Sequence, residues 1–97
     1  MTVYVVGDLV RVKVTWTDVN DTPTDPTTIV CRVKDPAGTV TVYTYALGQV
    51  IRESAGVYHY DVATGILSSW WWYRWEAAGT VVGVEEGSFH VEGSKVV

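Results

Sequence analysis

With Cys31 as its only cysteine, the chain can form no internal disulfide, so its packing alone must hold the fold, as suits a protein that folds in a reducing cytoplasm. A lone cysteine on a strand reads as a small buried hydrophobe rather than a reactive thiol. Long apolar runs are missing too. None approaches the roughly 18 residues of a membrane helix, and the N-terminus lacks the basic start and apolar stretch of a signal peptide, so no membrane partner is expected. Basic side chains are scarce, 7 against 11 acidic ones for a net charge of −4. Phosphate binding needs a basic surface, so nucleic acid is not an expected partner. Helical periodicity, internal repeats and low-complexity tracts are also absent, which leaves no place for helices, solenoids or propellers.

What the sequence has is alternation. In LVRVKVTWT (9 to 17), Val10, Val12, Val14 and Trp16 fall on one face and Arg11, Lys13 and Thr15 on the other, the period of a half-buried strand. DVNDTPTDPTT (18 to 28) gathers turn-forming residues and predicts a long connection. TIVCRVK (28 to 34) alternates again with Ile29, Cys31 and Val33 inward; DPAG (35 to 38) fits a type I turn, and TVTVYTYAL (39 to 47) completes a hairpin. QVIRES (49 to 54) predicts a short strand. VYHYDV (57 to 62) predicts another, with Tyr58, Tyr60 and Val62 inward and His59 and Asp61 outside in solvent. After the loop ATGILSS (63 to 69) come WWWYRWEA (70 to 77) and a last strand, TVVGVEEGSFHVE (80 to 92), which Gly83 and Gly87 are expected to interrupt with bulges. This pattern predicts an all-β sandwich of about seven antiparallel strands, in one domain over residues 1–97.

Four of the five tryptophans lie within six positions, in SSWWWYRWEAAG (68 to 79). Strand alternation sends Trp71, Tyr73 and Trp75 one way and Trp70, Trp72, Arg74 and Glu76 the other. The first set, with Trp16, is expected to fill the core, each ring burying on the order of 150–250 Å². That solution resembles the immunoglobulin-like one without its disulfide. Trp70, Trp72 and Arg74 then form an exposed stripe of the residue types enriched at protein interfaces. The competing reading covers that face with loops and pairs Arg74 with Glu76 across strands.

Catalysis needs convergent acids, bases or nucleophiles in a pocket, and none is legible. His59 and His90 are isolated, Ser54, Ser68, Ser69 and Ser88 lie outside any nucleophile motif, and adjacent Glu85 and Glu86 point to opposite faces. The chain is therefore expected not to be an enzyme and to need no cofactor. Asp18, Asn20 and Asp21, with Asp25 close behind, pack oxygen ligands in the manner of a calcium site, but without the bidentate glutamate of an EF-hand loop. The same residues make ordinary turns for local reasons, and no metal is assigned to them. Along the edges, either Lys13, Arg32 and Lys34 act as guards, or the segment 49 to 54 pairs with a neighbouring subunit.

YVVGDLVRV (4 to 12), TDPTTIVCRVKDPAGTVTVYTY (24 to 45), ESAGVYHYDV (53 to 62) and WYRWEAAGTVVGVEEGSFHV (72 to 91) together resemble the small immunoglobulin-like virion proteins of tailed bacteriophages. The GD-x-V-R-V opening, the DP-x-G turn and the G-x-Y strand show a weaker likeness to macroglobulin-type β-sandwich domains. Just before the aromatic strand the chain departs from the phage pattern, with SSWW where a Gly-Thr-Trp-like segment is usual. The resemblance implies an immunoglobulin-like β-sandwich made in the host cytoplasm and incorporated in the virion. Its partners would be other virion proteins: the major capsid protein for a head decoration, or neck and tail proteins for a connector position. A carbohydrate-binding module is the alternative from another class, because exposed tryptophans also stack on sugar rings.

Overall fold

A computed structural model describes residues 4–96. Eight strands follow one another: β1 (Tyr4–Val5), β2 (Leu9–Thr15), β3 (Thr28–Lys34), β4 (Val40–Thr44), β5 (Ile51–Ser54), β6 (Val57–Ala63), β7 (Ser69–Ala78) and β8 (Gly83–Glu92). They form a five-stranded sheet in the order β1-β8-β7-β3-β4 and a three-stranded sheet in the order β2-β6-β5. The described residues contain no helix. The two-residue β1, which pairs parallel to β8, departs from the expected set of about seven antiparallel strands. Two residues carry no period to detect.

Alternation builds both inner faces. Val10, Val12 and Val14 of β2 are buried, as are Ile29, Cys31 and Val33 of β3. They share one core with Trp16, Tyr58, Val62, Trp71, Trp75, Phe89 and Val91. Burial pushes the Cys31 thiol up to about 12, leaving an inert packing group. Tyr43 of β4 stacks on Tyr60 of β6, with centroids 3.9 Å apart, and so ties the two sheets at one side. The turn after β3 closes with Gly38 N donating to Asp35 O, and the Asp35 carboxylate accepts from Ala37 N and Thr39 N.

Three expectations are corrected. β7 and β8 pair in unbroken register from Ser69–Val91 to Ala77–Gly83, so neither Gly83 nor Gly87 makes a bulge. Both are glycine for space: a Cβ at Gly83 would stand 2.8 Å from a carbon of the Trp16 ring, and one at Gly87 would overlap the Tyr73 hydroxyl. His59 is on the outer face but only 8% exposed, because Glu53 of β5 reaches over it and shares a 3.0 Å hydrogen bond with its Nδ1. Lys13 does lie on an edge strand, yet Arg32 and Lys34 belong to β3, which is interior to its sheet and needs no guard.

The long connection between β2 and β3 is pinned by Asp25. Its carboxylate accepts from the Arg52 guanidinium, Gly56 N (2.9 Å) and Tyr58 OH (2.8 Å). These donors, Arg52 foremost, hold its pKa far below the usual carboxylate range. Asp61 beside Arg11 and Glu76 beside Arg32 are also lowered. For each, the unfolded chain takes up a proton near pH about 4 that the folded chain refuses until lower pH. Their stabilisation is therefore complete above that range and is lost as pH falls through the folded values. Tyr58→Phe removes one of the Asp25 donors and is expected to move acid unfolding, followed by circular dichroism, to higher pH.

Candidate functional site

Alternation along β7 and the register of its neighbours assemble one outer face of the five-stranded sheet. Trp72 faces Lys34 of β3 and Ser88 of β8; Arg74 faces Arg32 and Glu86; Trp70 faces His90. Next to Lys34 and Arg32, the edge strand β4 places Val40 and Val42. The inward set, Trp71 and Trp75, is buried with Tyr73 half-buried, as the alternation predicts.

Trp70 and Trp72 are 46% and 54% exposed, a large apolar area to leave in water on a sheet's central strand. Their ring centroids are 6.3 Å apart and the planes tilt by 32°; His90 stands edge-on to Trp70 at 5.0 Å. A shallow groove of about 230 Å³ runs beside Trp72, bounded by Arg32, Lys34, Val40, Arg74 and Glu86. The backbone at the start of β7 is unusual. Ser69 has φ +108°, a region nearly reserved for glycine.

Arg74 shares the face of the two tryptophans, but its charge is already committed. Its Nη1 donates to Glu86 at 3.0 Å and its Nε to Glu76 at 3.3 Å, while Arg32 Nε donates to the other oxygen of Glu76 at 2.6 Å. Glu86 and then Glu76 raise the Arg74 pKa; Arg32, ahead of Arg74, lowers that of Glu76. Two arginines and two glutamates thus cancel over the middle of the face, and such exposed pairs add little stability. They direct the Arg74 guanidinium toward Glu76 and Glu86 on the face that Trp72 shares. Lys34 is left without an ion pair among the described residues, so the groove beside Trp72 keeps one uncompensated positive charge.

The sequence named Trp70, Trp72 and Arg74, and the fold brings them onto one face. It missed Lys34, His90 and Val40, because these arrive from neighbouring strands through register. The Asp18, Asn20 and Asp21 loop folds on itself: Asp18 Oδ1 accepts from Asn20 N and Thr22 N, and Asp21 N donates to Asp18 O. Asp25 turns away to Arg52 and Tyr58. Among the described residues no three His, Cys, Asp or Glu side chains converge as a metal group.

The chain is thus an all-β, two-sheet protein with a paired-tryptophan outer face. Comparison with known protein families, with curated proteins and with solved structures finds no match to it.

Proposed function

We propose that this chain is a non-enzymatic structural component of a tailed-phage virion. In this reading it is an immunoglobulin-like sandwich that docks on the head shell through the Trp70–Trp72 face. The observation that carries this reading is the pair of half-exposed tryptophans held 6.3 Å apart beside Arg74 and Lys34. Interface hot spots combine these residue types: rings that bury much area with little entropy loss, rimmed by arginine. The parallel β1–β8 pair and the five-plus-three strand order support the immunoglobulin-like assignment. On a shell with many copies of the binding site, a modest patch is enough.

Trp72→Ala is expected to weaken co-sedimentation with purified capsids by at least about tenfold, the scale of a hot-spot truncation. Unchanged co-sedimentation would remove the face from this role. If neck or tail complexes pellet the protein and capsids do not, the same face serves a connector position instead. The 32° tilt denies the rings a single flat platform for a sugar. Intrinsic tryptophan fluorescence is accordingly expected to stay unchanged across a panel of glycans.

A further inference from the structure

An edge strand offers unpaired amides and carbonyls to any strand beside it, and folded proteins blunt such edges with charges, prolines, bulges or shortness. Three of the four edges here are blunted. β1 is two residues long and the length of β8 that it leaves uncovered carries Glu85 and Glu86 between Gly83 and Gly87, β2 carries Arg11 and Lys13, and β5 carries Arg52 and Glu53 with a register shift between Arg52 and Ser54, the part of β6 beyond it carrying Asp61. β5 is therefore a poor site for the subunit pairing that was one of the two alternatives for segment 49 to 54. β4 is different. It reads VTVYT, without charge, proline or glycine, and pairs with β3 regularly over all five residues.

The phase of that ladder identifies the open groups. Asp35 N donates to Thr39 O and Tyr45 N to Ile29 O. Thr41 and Tyr43 therefore turn their amides and carbonyls to β3, while Val40, Val42 and Thr44 turn theirs outward. Thr44 is already capped, its N–H donating to Gln49 Oε1 at 3.1 Å and its carbonyl accepting from Gln49 N and Val50 N. The open edge is thus two amides and two carbonyls, those of Val40 and Val42.

We infer that this segment pairs antiparallel with the same segment of a second copy, about a two-fold axis at Thr41. In that register Val40 of each copy faces Val42 of the other, and all four open groups of each copy find partners. An axis at Val42 would set Val40 against the capped Thr44; an axis at Val40 would set Val42 against Gly38 in the turn. Only the Thr41 axis gives every open group a partner; it sets Gly38 in the turn against the capped Thr44, so the two positions that cannot pair fall opposite each other. This self-complementarity selects a second copy over an unrelated extended chain, which no feature of the edge specifies. The contact joins two five-stranded sheets edge to edge and leaves Trp70 and Trp72 free, so it stands independently of the proposed docking role. It is small, with an expected Kd on the order of 0.1–1 mM in solution, and is strengthened where many copies are held close together.

The test is a cysteine pair defined by register. Facing residues of a non-hydrogen-bonded antiparallel pair have Cα atoms about 4.5 Å apart, within disulfide reach. Thr41→Cys is expected to form covalent dimers on mild oxidation at least about tenfold faster than Thr39→Cys, whose copies lie apart in this register. Cys31 is buried and stays silent. Val42→Pro deletes an outward N–H without touching the β3 ladder, and in the Thr41→Cys background it is expected to abolish the advantage while circular dichroism shows an intact fold. Equal cross-linking at 39 and 41, or native protein sedimenting as a pure monomer at 1 mM, would overturn the inference.

Discussion

Gly56→Ala is expected to lower stability by about 2–5 kcal/mol, read as a drop in the midpoint of denaturant unfolding, a large cost for one methyl group. Two costs add at this position. Gly56 has φ +74°, a conformation that costs a residue with a Cβ roughly 1–2 kcal/mol. The added Cβ would also overlap the Trp16 carbonyl oxygen and stand 2.7 Å from Thr24 N. These are backbone atoms that cannot swing aside as a side-chain tip could. Trp16 N donates to Gly56 O at 2.7 Å, Thr24 N donates to Trp16 O at 3.0 Å, and Gly56 N donates to Asp25. The end of β2, the long connection and the turn before β6 all meet at this one residue. Overpacking of such a site costs about 1–3 kcal/mol beyond the dihedral term. Gly38→Ala is the control, since Gly38 has φ +92° but open space around it. A loss at Gly56 no larger than that at Gly38 would contradict the close-approach account.

Trp75→Ala is expected to cost about 3–5 kcal/mol. The ring is fully buried on β7, between its register partners Cys31 of β3 and Glu85 of β8. Trp75→Phe is expected to cost less than half as much. Phenylalanine keeps much of the ring, and the indole Nε1–H has no hydrogen-bond partner among the described residues to lose. Trp72→Ala, on the opposite face of the same strand and half-exposed, is expected to cost about 1–2 kcal/mol, well below the loss at Trp75. Chemical denaturation of the three variants separates the two faces. Equal losses at positions 72 and 75 would show that the ribbon packs on both sides.

The parts of this fold that were legible in sequence are those governed by one strand's own period. Val10, Val12 and Val14, or Trp71 and Trp75, declare their side by alternation alone. What depends on a second strand was hidden. His59 has the position of a solvated residue, and only the fold of Glu53 across it makes it buried. Gly83 and Gly87 look like interruptions until the rings of Trp16 and Tyr73 are seen lying against them. The same limit applies to the outer face of β7. Trp70 and Trp72 were legible, whereas Arg74 pairs with Glu76 along β7 itself and not across strands. Glu86, Lys34 and His90 enter only through register with β3 and β8, which single-strand periodicity does not set.

In the proposed role, β7 gives rings to the interior with one face and to a virion partner with the other. Radical footprinting read by mass spectrometry tests it directly, on free protein and on protein assembled in particles. The predicted result is that Trp70 and Trp72 are labelled when free and protected in the particle, while Trp75 is unlabelled in both. Equal labelling of Trp70 and Trp72 in the two states would contradict it.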